Sequence, residues 1–403
     1  MDWAAYYREA LIYAERNIAR NALFAYNVNI DAVKHLRGGE RLPRRISNFL
    51  KECVKNGKQS EVRVDKKTLR LLIDKIGYDE VRMGGQAGNM SNVASSLGVR
   101  CYTHVPSKCR EQMKLFEHPE NIYIADGTFK TPPKVHRRCD VPIHFVMEFR
   151  KGYRFQNVEA PASNRLIASF NPPCAVLEID EEFKRLVPRI IGRVERALIS
   201  GFHNPTLGSD FAIRIENVRK HVEELKGINP NLKVHVELGD FQHLRVLKEV
   251  IRRILPVCDS VGFNEEELEQ MKKVLSMKCD MWEACDKICE KFCSAVFHCN
   301  SFSFSVMREE GCADPLMFGS LLAARRAATG KNASFRELEK FSNTIRVNKE
   351  GIRQYDEFRK IKFRNKAYFT PALDIGEPKM TVGLGDCFTA GYFLLRYNAT
   401  AGI

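Results

Sequence analysis

Short apolar runs alternate with amphipathic segments along most of the chain, and this alternation constrains the fold more than any other feature. The apolar runs have the length of buried strands, and the amphipathic segments have the spacing of surface helices. Such chains form α/β sheets in which helices cover the strands. The predicted strands are Ala22–Val28, Cys101–His104, Ile122–Ala125, Arg196–Ser200, Lys233–Leu238 and Ser260–Phe263. The predicted helices are Trp3–Ile18, Leu69–Ile76, Gly88–Leu97, Phe211–Leu225, Gln242–Arg253, Glu265–Leu275, Trp282–Cys293, Pro315–Ala328 and Phe388–Tyr397.

Two segments differ from this pattern. Ala32–Asp65 is highly charged, and Val141–Phe155 alternates like a half-exposed pair of strands before a stretch with Asn and Pro that ends near Pro173. A chain of 403 residues is long enough for one large α/β domain or for two unequal ones. We therefore expect the two segments to form a small second layer, or lid, over the main sheet.

The charge of the chain favours an anionic ligand. Sixty-four Lys and Arg against 50 Asp and Glu give a net charge of +14, which suits a nucleotide or a sugar phosphate. Nucleic acid is the alternative, but the basic residues are interleaved with acids and form no zinc-finger, RNA-binding or basic-tail pattern. The N-terminal residues resemble neither a signal peptide nor a membrane span. We expect a cytoplasmic monomer that binds small molecules, without nucleic acid or membrane as partner.

The 13 cysteines are expected to be mostly reduced and buried, since their number is odd and the chain is too large to need disulfides. Cys285, Cys289 and Cys293 recur at every fourth residue of a predicted helix. A metal site is the alternative, because further ligand types lie nearby: Cys279, His298 and Cys299. One helix face does not wrap ligands around an ion, so the spacing favours a buried stripe.

The segment Thr381–Gly391 concentrates glycine, an acid and an apolar run. Gly383 and Gly385 allow a tight turn that exposes backbone N–H groups, and the following run can begin a helix whose N-terminus favours an anion. Asp386 would lie beside that anion, where a general base takes a proton from an attacking hydroxyl. The alternative is a glycine-rich turn in which Asp386 only caps the helix.

Polar residues follow the first predicted strand and precede a later helix. Asn29 and Asp31 offer the donor and acceptor that sugar hydroxyls need, at the sheet edge where α/β proteins bind ligands. Gly85 permits close approach of a ligand to the backbone, and Gln86 adds an amide. A capped turn and a tight strand-to-helix connection are the alternatives.

Two carboxylates could organise a metal near the anion site. Glu237 ends a predicted strand, while Asn264 and Glu267 begin a predicted helix. Carboxylates at a phosphate site hold Mg²⁺, usually through water. An ordinary helix N-terminus with acids in its first turn is the alternative for Asn264 and Glu267. The sequence has no P-loop, protein-kinase or Rossmann motif.

Taken in order, these segments resemble the ADP-dependent glucokinase and phosphofructokinase family of sugar kinases. The matching motifs are Asn29-Ile-Asp31, Arg82–Gly88, His144–Phe149, Ser200-Gly-Phe202, His235-Val-Glu237, Ser260–Glu267 and Gly383-Leu-Gly-Asp386. The resemblance implies a ribokinase-like fold, with a three-layer α/β/α large domain and a smaller α/β lid. It places residues 1–31, 66–140 and 174–403 in the large domain, and 32–65 and 141–173 in the sugar-binding lid.

The resemblance also implies an activity and a role for each matching residue. The family transfers the β-phosphoryl group of ADP to a sugar hydroxyl in carbohydrate metabolism and releases AMP. Asp386 would be the base, and Gly383, Leu384 and Gly385 would form the anion hole. Other roles follow residue by residue: Glu237, Glu267 and Asp386 for Mg²⁺; Asn264, His298, Val382 and Gly383 for the nucleotide; Asn29, Asp31, Gly85, Gln86 and His144 for the sugar.

The choice of sugar rests on opposing charges. In the family a lid glutamate contacts glucose, and Glu61 lies at about the matching distance from the Gly-Gly-Gln turn. A carboxylate there repels a substrate phosphate, so Glu61 favours glucose. Asn164 and Arg165 could instead bind the phosphate of fructose 6-phosphate.

The sequence departs from the family pattern at Cys387, Phe388 and Phe297–Phe302, the last of which belongs near the nucleotide. Two alternatives therefore stay open beside an ADP-dependent sugar kinase. One is an ATP-dependent kinase of another sugar or of a nucleoside, and the other is a sugar or nucleotide sensor without catalytic activity.

Overall fold

The computed structural model describes residues 1–135, 137, 139–170, 177–205, 207–208 and 210–395. Its strands are β1 (Asn21–Ala25), β2 (Asn29–His35), β3 (Ser60–Arg63), β4 (Glu80–Gly84), β5 (Arg100–Thr103), β6 (Ile122–Asp126), β7 (Thr128–Lys130), β8 (Ile143–Phe149), β9 (Arg154–Phe155), β10 (Val158–Glu159), β11 (Asn164–Phe170), β12 (Arg196–Ile199), β13 (Lys233–Glu237), β14 (Ser260–Phe263), β15 (Ser294–His298), β16 (Phe302–Met307), β17 (Arg346–Val347), β18 (Lys366–Pro371) and β19 (Leu373–Asp374).

The α-helices of the described residues lie between these strands. They are α1 (Trp3–Asn17), α2 (Arg44–Asn56), α3 (Lys66–Ile76), α4 (Gln86–Ser96), α5 (Arg110–Met113), α6 (Glu181–Leu186), α7 (Phe211–Ile228), α8 (Leu244–Arg253), α9 (Glu265–Leu275), α10 (Met281–Lys291), α11 (Asp314–Thr329), α12 (Phe335–Ser342), α13 (Lys349–Phe358) and α14 (Leu384–Leu394).

A ten-stranded sheet forms the centre of the larger part, in the order β18-β16-β15-β14-β13-β12-β1-β5-β6-β7. The strands from β15 to β6 in this order pair in parallel. At one edge β16 pairs antiparallel with β15 and with β18, and at the other edge β7 pairs antiparallel with β6. The parallel strands are rich in residues such as Val, Ile, Leu and Phe because helices cover both of their faces.

Each face of this sheet has its own apolar core. Val218, Val250 and Ile288, from helices α7, α8 and α10, are buried on one face. Helices α1, α4, α11, α12 and α14 cover the other face, where Tyr7 and Leu322 are buried. The larger part is therefore a three-layer α/β/α structure, and the predicted fold class is confirmed.

A second, mixed sheet has the order β3-β11-β8-β2-β4. Helices α2 and α3 pack on it through buried residues such as Leu50 and Leu69. This sheet includes β4 and all of β2, so it extends beyond the segments 32–65 and 141–173 that were expected to form the lid; residues 171–173 lie outside the described residues. The chain first enters this sheet between β1 and β2 and leaves it between β4 and α4, and after β7 of the large sheet it returns to form β8 and β11.

Most predicted elements lie within a few residues of those found, but the last helix differs. It begins at Leu384 and not at Phe388, because Gly383 adopts a left-handed conformation (φ 70°) and precedes the first helical turn. Tyr397, where this helix was expected to end, lies outside the described residues. The elements that were not predicted include strands β2, β3, β4, β11, β15, β16 and β18 and helices α2, α5, α6, α12 and α13. Over the described ranges, none of the helices has the length and apolarity needed to cross a bilayer.

Candidate functional site

Two neighbouring cavities lie beyond the carboxyl ends of the parallel strands, where open α/β sheets bind ligands. The inner cavity, of about 300 Å³, lies between the two sheets, and the outer cavity has about 890 Å³. Both are lined by Asn264, His298, Thr381, Leu384 and Gly385. The two cavities therefore meet at the start of α14.

Among the residues that the sequence singled out, all except Asn164 line the inner cavity. They are Asn29, Asp31, Glu61, Gly85, Gln86, His144, Arg165, Glu237, Asn264, Glu267, His298, Val382, Gly383, Leu384, Gly385 and Asp386. Strand ends and helix starts bring them together from both sheets.

Asp386 lies in the first turn of α14, beside the N–H groups that begin this helix. The side-chain amide of Asn89 donates a hydrogen bond of 2.8 Å to its Oδ2. Burial raises the pKa of Asp386 to about 6, while the Asn89 bond opposes the rise and the charge of Glu237 adds to it. A carboxylate with this pKa is ionised at neutral pH and can accept a proton from a hydroxyl in the cavity.

Asn29 and Asp31 lie on β2, and the Asn29 amide donates to Oδ1 of Asp31 at 2.8 Å. Burial raises the pKa of Asp31, whereas nearby His144, Arg82 and Arg165 oppose the rise. A Cβ atom at Gly84, which pairs with Asn29 across the sheet, would collide with both of these side chains. The glycine at this position therefore gives the polar pair its space.

Gln86 begins helix α4, and its side-chain amide forms hydrogen bonds to the backbone of the protein. Its amide nitrogen donates to the carbonyl of Leu238, and its amide oxygen accepts from the backbone N–H of Gly201 at 3.3 Å. Gln86 thus ties the start of α4 to the ends of β12 and β13, while still lining the inner cavity.

Asn164 and Arg165 are neighbours on β11 with different surroundings. Asn164 donates to the carbonyl of Gly57 at 3.0 Å and is not among the residues lining either cavity, which does not favour the contact with substrate expected for it. Arg165 points into the inner cavity, and its Nε is buried without a partner among the described residues. Burial lowers the pKa of Arg165, and the carboxylates of Glu148 and Asp31 oppose this effect.

Glu237 ends β13 and is held by three side chains. Its Oε1 lies 3.0 Å from Nε2 of His298, and its Oε2 lies 3.1 Å from Nε2 of His235 and accepts the hydroxyl hydrogen of Thr389 at 2.9 Å. Burial favours a raised pKa for Glu237, but the hydrogen bonds from His235 and His298 outweigh it and lower the pKa to about 2. Glu237 is therefore a fixed anion.

Asn264 and Glu267 form a capping box at the start of α9. The Asn264 side chain accepts from the N–H of Glu267, and Glu267 accepts from the N–H of Asn264 at 3.0 Å. Burial, followed by the nearby charge of Glu237, raises the pKa of Glu267 to about 8. Glu267 therefore does both: it caps helix α9, and it places a second carboxylate beside Glu237.

Glu61 lies on β3 of the small sheet and lines the inner cavity. Its backbone carbonyl accepts a hydrogen bond of 2.8 Å from Gln242, which precedes α8 in the large part. This bond joins the two parts at the rim of the cavity and fixes the position of Glu61.

Sequence reasoning missed two residues that line the inner cavity, Asn89 and His203, and two that lie behind it, Arg326 and Thr389. Asn89 and Thr389 were overlooked although each lies in a recognised glycine-containing segment, one helical turn after Gly85 and Gly385 respectively. That spacing was the signal that could have found them. His203 directly follows the Ser200-Gly-Phe202 motif, and that position could have indicated it. Arg326 is distant from any motif in the sequence, and no local signal indicates it.

Cys285, Cys289 and Cys293 are buried in the core against β15, as predicted for a stripe. Within the described ranges, no set of three His, Cys, Asp or Glu side chains converges as a direct metal site.

The chain resembles known proteins over nearly its whole length. It is 27% identical to an ADP-dependent glucose/glucosamine kinase of Pyrococcus abyssi, over 100% of both chains, and 28% identical to an ADP-specific phosphofructokinase of the same organism, over 93% of this chain and 96% of the relative. A solved ADP-dependent kinase in complex with fructose 6-phosphate and ADPβS has a TM-score of 0.86 at 23% identity and covers 98% of this chain and 97% of its own. A phosphofructokinase from Pyrococcus horikoshii OT3 with AMP has a TM-score of 0.78 at 24% identity, with coverage of 94% and 98%.

The fold and the site define a ribokinase-like α/β protein with a carboxylate at a helix N-terminus between two ligand cavities. The family model of the ADP-specific phosphofructokinase/glucokinase conserved region matches residues 43–395, and the chain belongs to this family. The family predicted from the sequence motifs is thus confirmed.

Proposed function

We propose that the protein is an ADP-dependent sugar kinase that transfers the β-phosphoryl group of ADP to glucose or fructose 6-phosphate and releases AMP. The observation that carries this proposal is the position of Asp386. It lies at the N-terminus of α14, where a cavity the size of a monosaccharide meets a larger one. Relatives named as glucose/glucosamine kinase and as phosphofructokinase support both acceptors.

In the proposed reaction the sugar lies in the inner cavity and ADP in the outer one. The acceptor hydroxyl gives its proton to Asp386 while its oxygen bonds to the β-phosphorus. The bond between this phosphorus and the oxygen bridging to the α-phosphate breaks, and the electron pair leaves with AMP. The backbone N–H groups at Gly383–Gly385 and the helix N-terminus would stabilise the negative charge of the phosphoryl group.

The side chains fit a Mg²⁺ ion held through water. Glu237 and Glu267 lie close enough for the charge of Glu237 to raise the pKa of Glu267, a repulsion that a cation relieves. Both oxygens of Glu237 already accept hydrogen bonds, so Glu237 would reach the ion through its water shell, which Mg²⁺ loses reluctantly. When bound, Mg²⁺ would neutralise part of the phosphate charge.

The nucleotide would contact His298, whose ring is held by Glu237 and packs against Gly385. A Cβ atom at Gly385 would lie 3.1 Å from Cε1 of His298, so the glycine allows this approach. Burial favours a lowered pKa for His298, but its hydrogen bond to Glu237 outweighs burial and raises the pKa. A protonated His298 between the cavities would attract phosphate. Asn264, which lines both cavities, and Val382, which lines the inner cavity where the two meet, would complete the nucleotide site.

The choice of sugar would depend on Glu61 and Arg165, which line the same inner cavity. Glu61 would accept a hydrogen bond from a glucose hydroxyl and repel a phosphate, whereas Arg165 would attract a phosphate. Asn29, Asp31, Gly85 and His144 would bind the remaining hydroxyls. Asn164, which bonds Gly57, would support the strand next to the site.

The small sheet would act as the lid of the sugar site. We propose the division of 1–31, 66–140 and 174–403 from 32–65 and 141–173, except that α3 and β4 join the lid, β4 as its fifth strand. Closure would exclude water, which otherwise competes with the sugar for the phosphoryl group. The twelve free cysteines among the described residues support action in a reducing compartment such as the cytoplasm.

The test is turnover of the purified protein with Mg²⁺, with ADP and ATP each combined with glucose and fructose 6-phosphate. Sugar phosphate and AMP should form with ADP. Asp386→Asn should reduce kcat by at least about a thousandfold with little change in sugar binding, because only the proton acceptor is lost. Asp356→Asn, on the exposed face of α13, is the matched control and should match the wild type. Turnover with ATP but not with ADP would support the ATP-dependent alternative. Binding of sugar or nucleotide without turnover would support the sensor.

A further inference from the structure

Arg326 is a buried cation that the proposed mechanism does not use. It lies on α11 and is 8% exposed. One terminal nitrogen donates to Oδ1 of Asn332 at 2.6 Å, and Nε is buried without a partner within the described part of the chain. No carboxylate of the described residues comes within 4.0 Å of its guanidinium group, whereas the preceding residue, Arg325, pairs with Glu337 at 3.7 Å.

The guanidinium group lies beneath the turn that precedes α14. A Cβ atom at Gly383 would be 3.5 Å from a terminal nitrogen of Arg326 and 3.4 Å from the Asn89 amide. The positive charge also favours the ionised form of the Asp386 carboxyl. Arg326 is absent from the described residues that line the two cavities, so it reaches a ligand only through the Gly383–Asp386 turn.

Burying an unpaired cation destabilises a protein unless an anion compensates it. The turn above Arg326 offers backbone N–H groups at a helix N-terminus, which is where an anion binds. A buried charge and a helix N-terminus, two independent features, thus converge on the same turn.

We propose that Arg326 is a positioning residue that stabilises, through the Gly383–Asp386 turn, the phosphate of bound ADP and the charge of the phosphoryl group during transfer. The inference rests on the proposed function for the identity of its ligand. It assigns the phosphate site a permanent positive charge from below the turn.

The test compares Arg326→Met and Arg326→Lys with Arg325→Met, the matched control on the same helix. Arg326→Met should reduce kcat by about ten- to a hundredfold, less than the loss expected for a donor that touches the ligand, while the KM for sugar changes less than about threefold. Arg326→Lys should recover most of this loss. The Tm of Arg326→Met should equal or exceed that of the wild type, since removing a buried charge that no carboxylate pairs offsets the loss of its hydrogen bond to Asn332.

A purely structural role predicts a different pattern: a fall in Tm that parallels the fall in kcat, with no rescue by lysine. That pattern, or a kcat of Arg326→Met within twofold of the wild type, would overturn the inference. The rise in Tm caused by ADP is measured in parallel because it needs no turnover. It should be smaller in Arg326→Met, and an equal rise in both proteins would overturn the inference. Absence of wild-type turnover would instead refute the kinase proposal, and the ADP-induced rise would still decide the role of Arg326.

Discussion

The hydrogen bond from Asn89 to Asp386 should set the pH at which the enzyme gains activity. This bond, 2.8 Å long, stabilises the ionised carboxylate and opposes the burial that raises the pKa of Asp386 to about 6. Replacing Asn89 by Ala removes the donor. A hydrogen bond to a charged group contributes about 1.5–3 kcal/mol, and about 1.4 kcal/mol corresponds to a tenfold change in ionisation. The acid limb of the profile should therefore move upward by about one to two pH units.

The direction of the pH dependence follows from the role of Asp386 as a general base, which is active when ionised. Wild-type kcat/KM should rise with pH through about 6. At pH 7 about nine tenths of Asp386 is ionised in the wild type, but only between about half and one tenth in Asn89→Ala. At pH 7 the kcat/KM of the variant should be about two- to tenfold lower than that of the wild type, and near pH 9 the two should become similar.

The assay is kcat/KM for the sugar, measured by AMP formation between pH 5 and pH 9. Asn92→Ala on the same helix is the control. Asn92 donates to the carbonyl of Leu115 and accepts from the N–H of Glu117, so its loss should lower stability and leave the midpoint unchanged. An unchanged midpoint in Asn89→Ala, or an equal loss at every pH, would refute the reasoning.

Three further predictions concern specificity, the metal site and packing. Glu61→Gln should lower kcat/KM for glucose by about tenfold or more and raise it for fructose 6-phosphate, because a charge that repels phosphate is lost; steady-state kinetics with both sugars would measure this. Thr389→Val should lower kcat by about fivefold or more, since Glu237 loses a buried donor at 2.9 Å; kinetics across a Mg²⁺ titration would measure it. Gly391→Ala should lower the free energy of unfolding by about 1–3 kcal/mol in denaturant titrations, whereas Gly192→Ala, with open space around it, should not.

Each of these has an outcome that contradicts it. Equal sugar preference in Glu61→Gln and in the exposed control Glu52→Gln would remove Glu61 from the specificity account. Unchanged kinetics in Thr389→Val at every Mg²⁺ concentration would show that Glu237 does not need its third donor. Wild-type stability in Gly391→Ala would contradict the close contact that a Cβ atom would make with Gly319.

The central sheet was predictable because buried parallel strands leave a strong local signal. Runs such as Arg196–Ser200 are short and have an apolar centre, and the corresponding strand β12 ends at Ile199, one residue before the predicted end. The antiparallel strands β16 and β18 were missed for different reasons. β16 alternates Phe and Ser, a signal that was overlooked, whereas the sequence of β18 shows neither an apolar run nor an alternation. Whether β4 belongs to the second sheet depends on pairing with β2, which no local pattern encodes.

The candidate site was predictable where one strand end or helix start carries several polar residues in sequence, as at Asn29 and Asp386. It was not predictable where a contact depends on tertiary packing. Arg326 and Asp386 lie sixty positions apart, with helices α12 and α13 and three strands, β17 to β19, between them, and only the packing of α11 against α14 brings them together. Asn164 is the opposite case, a residue that was predicted for the site but does not line it. It was chosen because it precedes Arg165, but neighbouring residues of a strand point to opposite faces.

The most direct test follows the labelled β-phosphate of ADP. With Mg²⁺ and glucose or fructose 6-phosphate, the wild type should transfer the label to the sugar and release unlabelled AMP, and Asp386→Asn should transfer almost none. Label that appears as inorganic phosphate, or a rate in Asp386→Asn equal to the wild type, would contradict the account.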